Sequence, residues 1–383
     1  MLFATRETDG DCMDRSYRIL PTYTGDVSGA CSALFELGGM VVIHDPSGCN
    51  STYNTHDETR WYDKDSLVFI TGLVERDAIL GNDQKLVNDV VDAALELGPR
   101  FIALCNSPIP FISGTDFRAL CKIIERKTGI PTFYVSTNGM HDYVVGAGNA
   151  FAQVAQRFVC NGTPRSHALN ILGATPLDFC DEASVQGLRD FASGAGYDVV
   201  SCWAMGSSLD ELVLSAQASV NLVVSSTGLK AARVLRERFG TPYVAGTPIG
   251  TFSQVLEAAL SEAEQTGACA WPCCDAREPA AEGSGCVVGE PVAAGSVAAA
   301  LQHDMGSLRV VCPLECEPEL LAGWDVRTSG EDAIECALAQ STLVVADKFY
   351  EPACPPDAQL CVWPHFALSG RQCFAQERDH RLS

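Results

Sequence analysis

The stretch from Met40 to Trp61 sets a thiol at the end of an apolar run. Met40 to Ile43 leads into His44, then Asp45-Pro46-Ser47-Gly48 and Cys49. A thiol held in a tight turn can serve as a nucleophile, ligate a metal or fill space. A second cysteine, Cys105, follows the apolar run Phe101–Leu104 in the same way. In open α/β sheets ligands bind beyond the carboxyl ends of strands, so both cysteines are expected on the functional edge of one sheet. A cysteine buried for packing belongs inside a strand instead. No G-x-S-x-G elbow or paired base accompanies either thiol, which disfavours the nucleophile. The series His44, Cys49, His56 does not have the spacing of a structural zinc site. His56 lies in a polar run, NTHDETRW, as a surface or cleft histidine.

The elements that must position these residues follow a repeated layout of apolar strand, polar loop and helical pattern. It occurs at Arg100–Cys105 followed by Asp116–Lys127, and at Asn221–Ser225 followed by Leu229–Phe239. Ser341–Ala346, followed by Asp347 and a proline-rich stretch, begins a third. The first two continue into near copies, GIPTFYV from Gly129 and GTPYVA from Gly240. In each a glycine stops the helix, proline sets the turn, and a short strand follows. Alternating strands and helices of this length predict an α/β chain of three Rossmann-like domains, with parallel β-sheets flanked by helices. Their expected bounds are 1–165, 166–265 and 286–383. Residues 266–285, rich in Ala, Gly, Pro and Cys, read as a linker.

Composition narrows the function classes. The chain has 383 residues, 47% of them hydrophobic, and a net charge of −22. That charge argues against nucleic acid and anionic membrane surfaces and suits protein and small-molecule partners. Residues 1–20 contain no apolar signal-peptide core, and no run of about 18 apolar residues exists to span a membrane. A cytoplasmic protein is therefore expected, and its 18 cysteines are poorly explained by disulfides. They suit metal or iron–sulfur ligation and an anaerobic cell. Cys269, Cys273, Cys274 and Cys286 form a further group, which reads as free thiols on an irregular segment. No phosphate-binding G-x-x-x-x-G-K-[ST] loop occurs. Gly146-Ala147-Gly148 resembles the start of a dinucleotide fingerprint, but Phe151 takes the third glycine's place. That stretch reads as a glycine-rich helix start.

Three segments together resemble the nitrogenase component 1 superfamily: residues 28–53 (SGACSALFELGGMVVIHDPSGCNSTY), 69–86 (FITGLVERDAILGNDQKL) and 103–117 (ALCNSPIPFISGTDF). The order of Gly29-Ala30, His44 to Cys49, Glu75 to Gly81, and Cys105 with Gly114-Thr115-Asp116 carries the resemblance. Segments 170–178, 222–250 and 364–371 extend it over nearly the whole chain. The resemblance implies that Cys49 and Cys105 ligate an iron–sulfur cluster, 4Fe-4S or larger, shared at a subunit interface. Gly48 and Gly29 would let backbone crowd it. Gly25 stands where the family places its first cluster cysteine, so Cys31 or Asp26 is the implied third ligand. Asp45 replaces a glycine. Counterparts of the molybdenum-cofactor ligands are missing, so dinitrogen is not the implied substrate.

The implied function is that of a subunit of a nitrogenase-like oxidoreductase. It would relay electrons from an ATP-dependent iron protein to a reducible small molecule, paired with a homologous second subunit or as a homodimer. His44, His56 and Arg60 would line that path or donate protons. The alternatives are a non-catalytic metallocluster assembly scaffold and a cluster-less partner subunit.

Overall fold

The computed structural model describes residues 17–46, 58–62, 64–281 and 283–368. These form three parallel sheets flanked by helices. Sheet one consists of β1 (Met40–His44), β2 (Leu67–Ile70), β3 (Ile102–Asn106) and β4 (Thr132–Val135), in the order β2-β1-β3-β4. Its helices are α1 (Asp26–Leu34), α2 (Glu75–Leu80), α3 (Asp83–Leu97), α4 (Pro108–Ser113) and α5 (Phe117–Thr128). The fully buried runs of β1 and β3 reflect cover on both faces, as parallel sheets require. Val41, Ile43, Ala103 and Cys105 face α1, whereas Met40, Val42, Ile102 and Leu104 face α3 and α5.

A long helix, α6 (Tyr143–Arg157), leads to sheet two. That sheet has the order β6-β5-β7-β8, with β5 Ala168–Ala174, β6 Asp198–Ala204, β7 Val220–Val223 and β8 Tyr243–Ala245. Helices α7 (Pro176–Phe179), α8 (Glu182–Gly194), α9 (Leu209–Val213), α10 (Leu229–Phe239) and α11 (Phe252–Thr266) surround it. The glycine stops act as the sequence indicates. Gly129 and Gly240 end α5 and α10 in the left-handed region, at φ 72° and 78°, where a side chain is strained.

The 266–285 connection is packed structure rather than a free tether. It forms α12 (Pro272–Asp275), buries Cys273 and Cys274, and holds Arg277 against Asp325. Small residues permit this close packing: a Cβ at Gly295 would lie 2.5 Å from the carbonyl oxygen of Cys273. Sheet three follows in the order β11-β10-β9-β12-β13. Its strands are β9 Cys286–Val288, β10 Arg309–Cys312, β11 Val326–Arg327, β12 Leu343–Ala346 and β13 Gln359–Val362. Helices α13 (Pro291–Met305) and α14 (Glu331–Leu338) complete it. No described helix is long and apolar enough to cross a membrane.

The chain's early residues dock on the third sheet's unit. Glu331, in the first turn of α14, accepts the backbone N–H groups of Arg18, Ile19 and Leu20 at 2.8–2.9 Å. These bonds to the charged form hold its carboxyl down at about 2. A depressed carboxyl adds stability above its unfolded value near 4.5 that is lost as pH falls through about 2. Glu331→Ala is expected to release this segment. Amide exchange at residues 18–20 should accelerate while the β3 amides stay protected; unchanged exchange there would refute the docking role.

Candidate functional site

The site begins where β1 and β3 end. Their ladder pairs Ile43 with Cys105 and His44 with Asn106, and Cys105 also pairs with Val135 of β4. The sequence places Cys105 just past a strand, and here the structure differs. The ladder runs on through two polar residues, so Cys105 lies inside β3 and is fully buried. Its side chain shares the α1 face of the sheet. There it shares one buried cluster with Cys31, which is also fully buried. The neighbouring Cys105 thiol, burial and the nearby Glu58 carboxylate all push the Cys31 thiol well above its ordinary value. Cys49, Gly48 and His56 lie outside the described residues.

Asp26 opens α1, where a carboxylate suits the positive end of the helix. Its two oxygens accept the N–H groups of Asn138 and Gly139, each at 2.8 Å. Burial raises its carboxyl despite these bonds. The side chain thus ties α1 to the loop after β4. Gly29 sits against α6: a Cβ there would lie 2.2 Å from the Tyr143 carbonyl oxygen.

His44 ends β1 almost wholly buried. Its Nδ1 is 2.8 Å from Thr71 Oγ1, and its ring stands edge-on to Phe117 at 6.0 Å. Burial lowers its pKa. Ser107 Oγ donates to the His44 carbonyl, which fastens the two strand ends together.

Arg60 lies in the turn at Thr59–Tyr62 and is buried under α1. It donates through Nε and Nη2 to both oxygens of Glu58, at 2.7 and 2.8 Å. It also reaches Glu36 Oε1 at 3.0 Å and the Ser32 carbonyl at 2.8 Å. Its guanidinium covers the Phe35 ring at 4.6 Å. Sequence reasoning singles out Arg60 and misses its carboxylate partners. Glu58 belongs to the polar run NTHDETRW, whose composition gives no sign of burial.

Two features bear on what the site can hold. The donor chemistry of two opposed thiols fits a soft, thiophilic iron centre, although no group of three or more potential ligands occurs among the described residues. The rim of the same sheet edge is apolar and open. Ile79 and Leu80 on α2, and Ile112 on α4, are between 72 and 79% exposed, and Ile109 and Phe111 are exposed beside them. Both helices start beyond strand ends of sheet one, and they pack against each other. The proline-rich 107–114 stretch reads as loop in the sequence. It forms α4 because proline is favourable in a helix's first turn and Gly114 closes the end at φ 74°.

The other cysteine groups fall into pairs. Cys273 and Cys274 have sulfurs 3.8 Å apart, and the buried Cys312 thiol, which donates to the Leu314 carbonyl at 3.6 Å, is pushed well above its ordinary value by the neighbouring Cys316 and by burial. Cys286 lies apart from the Cys273–Cys274 pair, within β9.

The family model described as nitrogenase component 1 type oxidoreductase matches residues 26–260. Among curated proteins, the chain is 26% identical over 245 residues to the nitrogenase iron-molybdenum cofactor biosynthesis protein NifE of Clostridium pasteurianum, covering 58% of this chain and 51% of that one. It is 24% identical over 221 residues to one chain of the light-independent protochlorophyllide reductase of Nostoc punctiforme, covering 55% and 43%. It spans about half the length of these relatives. The solved structure described as nitrogenase Cp1 at pH 6.5 superposes with a TM-score of 0.57 at 16% identity, over 79% of this chain and 64% of that one. That last similarity is one of fold.

Proposed function

This chain belongs to the nitrogenase component 1 type oxidoreductase family, and we propose that it is a subunit holding an iron–sulfur cluster beside a subunit interface and relaying electrons to a reducible small molecule other than dinitrogen. The observation that carries this reading is the buried Cys31–Cys105 thiol pair beside the apolar α2–α4 rim. Cys105, Cys31 and Cys49 are the proposed ligands. Asp26, whose oxygens already accept two backbone N–H groups, serves as the clamp on α1. When bound, the cluster supplies single-electron transfer.

The chain's own residues do the rest. Opposed thiols on a strand and a helix present two sulfurs from rigid elements. Ionisation of the buried Cys31 thiol needs a compensating positive charge, which metal coordination provides. His44 and Ser107 fix the ends of β1 and β3 against each other. The α2–α4 rim supplies the apolar core that interfaces use. Its partner is a homologous second subunit or a second copy of this chain. The electrons come from an ATP-dependent iron protein in the cytoplasm of an anaerobic cell.

A second reading is a scaffold that holds a metallocluster precursor and passes it on. The relative named as a cofactor biosynthesis protein favours it, as does Gly25 in the place of the first cysteine. The two readings share ligands and separate by turnover. The relay consumes substrate when supplied with iron protein and ATP; the scaffold gives up its cluster once.

Anaerobic purification with iron, sulfide and EPR measurement tests the ligands. Wild-type protein is expected to carry iron, and Cys105→Ala and Cys49→Ala to lose most of it. A colourless, iron-free wild type would sink the cluster in either reading.

A further inference from the structure

Sheet one ends at β4, and among the described residues no strand lies beyond it. Helices α5 and α6 flank that edge and leave between them a groove of about 440 Å³, within the range of small-molecule pockets. Each element lines it with its own period. Thr132, Tyr134 and Ser136 alternate along β4 and its end, while Arg118, Cys121, Lys122 and Glu125 recur at helical spacing on α5. Asn149, Gln153 and Arg157 do the same on α6. Helix α5 buries Phe117, Leu120 and Ile124, so its apolar stripe seats it on the sheet and the neighbouring charged stripe is left to the groove.

The lining is cationic in an acidic protein. Arg118 and Lys122, four residues apart, stand on the α5 wall, and Arg157 stands on the α6 wall. Glu125 is the single carboxylate among the lining residues. None of these four makes an ion pair among the described residues. Elsewhere the pattern is the reverse: Arg60, Arg100, Arg233 and Arg277 each pair with a carboxylate. With 48 Asp and Glu against 26 Lys and Arg in the chain, three cations without a carboxylate partner on two facing walls depart from what the composition favours.

Several of the lining groups are held in place. The Arg157 guanidinium lies over the wholly buried Phe133 ring at 5.6 Å, and its charge reaches the Cys121 thiol on the opposite wall. Asn149 Nδ2 donates to the Ser136 carbonyl at 2.7 Å, and its Oδ1 accepts from Lys230 Nζ at 2.7 Å. The Tyr134 ring stacks on Phe117 at 5.1 Å. Its hydroxyl and the Gln153 amide, both on half-buried residues, have no hydrogen-bond partner among the described residues. Cys121 is 4% exposed, and burial pushes its thiol up to about 12. A thiol so raised is a poor nucleophile, so the groove is equipped to bind rather than to react.

Three cations against one carboxylate leave two positive charges. A phosphate monoester carries about −1.5 to −2 at pH 7 and three strong acceptor oxygens, which arginine forks and a lysine ammonium meet with charge-assisted bonds. We propose that this groove binds a small phosphate monoester, with its phosphate held by Arg118, Lys122 and Arg157 and its hydroxyl groups by Glu125, Gln153 and Tyr134. The site needs neither iron nor a partner subunit and does not depend on the cluster reading.

Calorimetric titration of the full-length protein with ribose 5-phosphate tests this, with ribose and succinate as comparators. Ribose 5-phosphate is expected to bind saturably at one site, and ribose not at all. Arg118→Gln and Arg157→Gln should each weaken binding at least about tenfold, the worth of a charge-assisted hydrogen bond. Arg126→Gln removes the same charge from α5 outside the groove and should cost less than about twofold, since an exposed charge beyond the site is screened. All three positions are exposed, and denaturant midpoints near wild type would confirm that the variants fold. Ribose 5-phosphate should also slow amide exchange in α5 and α6 while leaving residues 18–20 unchanged. No saturable binding, equal losses in Arg126→Gln and Arg157→Gln, or succinate binding as tightly as ribose 5-phosphate would each overturn the proposal. Equal losses would mean attraction to charge alone, which an acidic protein surface would satisfy as well.

Discussion

Gly146→Ala is expected to unfold the protein or to cost more than about 4 kcal/mol, at the far end of single substitutions. Helices α1 and α6 cross with backbone against backbone. A Cβ on Gly146 would lie 1.8 Å from the carbonyl oxygen of Asp26, and one on Gly29 would lie 2.2 Å from that of Tyr143. Neither obstacle is a flexible side-chain end, so the helices must separate. Separation would break the bonds that start them side by side, Asp26 N–H to the His141 carbonyl and Tyr143 N–H to that of Thr24. It would also disturb the packing of α1 against β3 and the Tyr143–Asp178 hydrogen bond. Gly187→Ala provides the control. It lies within α8 with nothing within 4 Å of an added Cβ, and should gain about 0.5–1 kcal/mol from helix propensity. Denaturant midpoints of both variants decide the matter; a Gly146→Ala midpoint near wild type would show that the crossing can relax.

The sequence is most informative where structure is local. Leu229–Phe239 reads as a helix and is one, because apolar spacing and a closing glycine act within a few residues. Gly146 to Phe151 reads as a glycine-rich helix start, and α6 confirms it; what pairwise spacing does not show is that Gly146 is small for the sake of a helix over 100 residues away in sequence. The same locality misplaces Cys105: a strand's end is set by its partner, and β1 carries β3 past the apolar run to Asn106. The buried polar groups are the least legible. Tyr143 Oη and His365 Nε2 lie 3.0 Å apart across 222 positions of sequence, and a carboxylate such as Glu58 or Glu290 has the same composition whether solvated or buried.

Arg60→Ala is expected to lower stability by about 3–5 kcal/mol, the cost of removing one partner from a buried ion pair. The guanidinium is 6% exposed and grips both Glu58 oxygens while holding Glu36. Ser32 Oγ adds a bond to Glu58 at 3.0 Å, so the network anchors α1 immediately beside Cys31. Without Arg60 the Glu58 charge stays buried near that thiol, and the helix that presents it loses its anchor. Arg60→Lys keeps a charge but not the two-pronged grip, and should fall between the two. The acid limb offers a second readout. Burial works to raise the Glu36 carboxyl, but Arg60, the Gly206 N–H and Lys64 together leave it lowered. A lowered carboxyl contributes stability above its unfolded value of 4.5 that is lost as pH falls through its folded value. Arg60→Ala should therefore flatten the fall in stability below pH 4.5 as well as lower the neutral plateau. A variant as stable as wild type at neutral pH, with the same acid limb, would show that Arg60 is free for another task, such as the proton donation its place in the sequence first suggests.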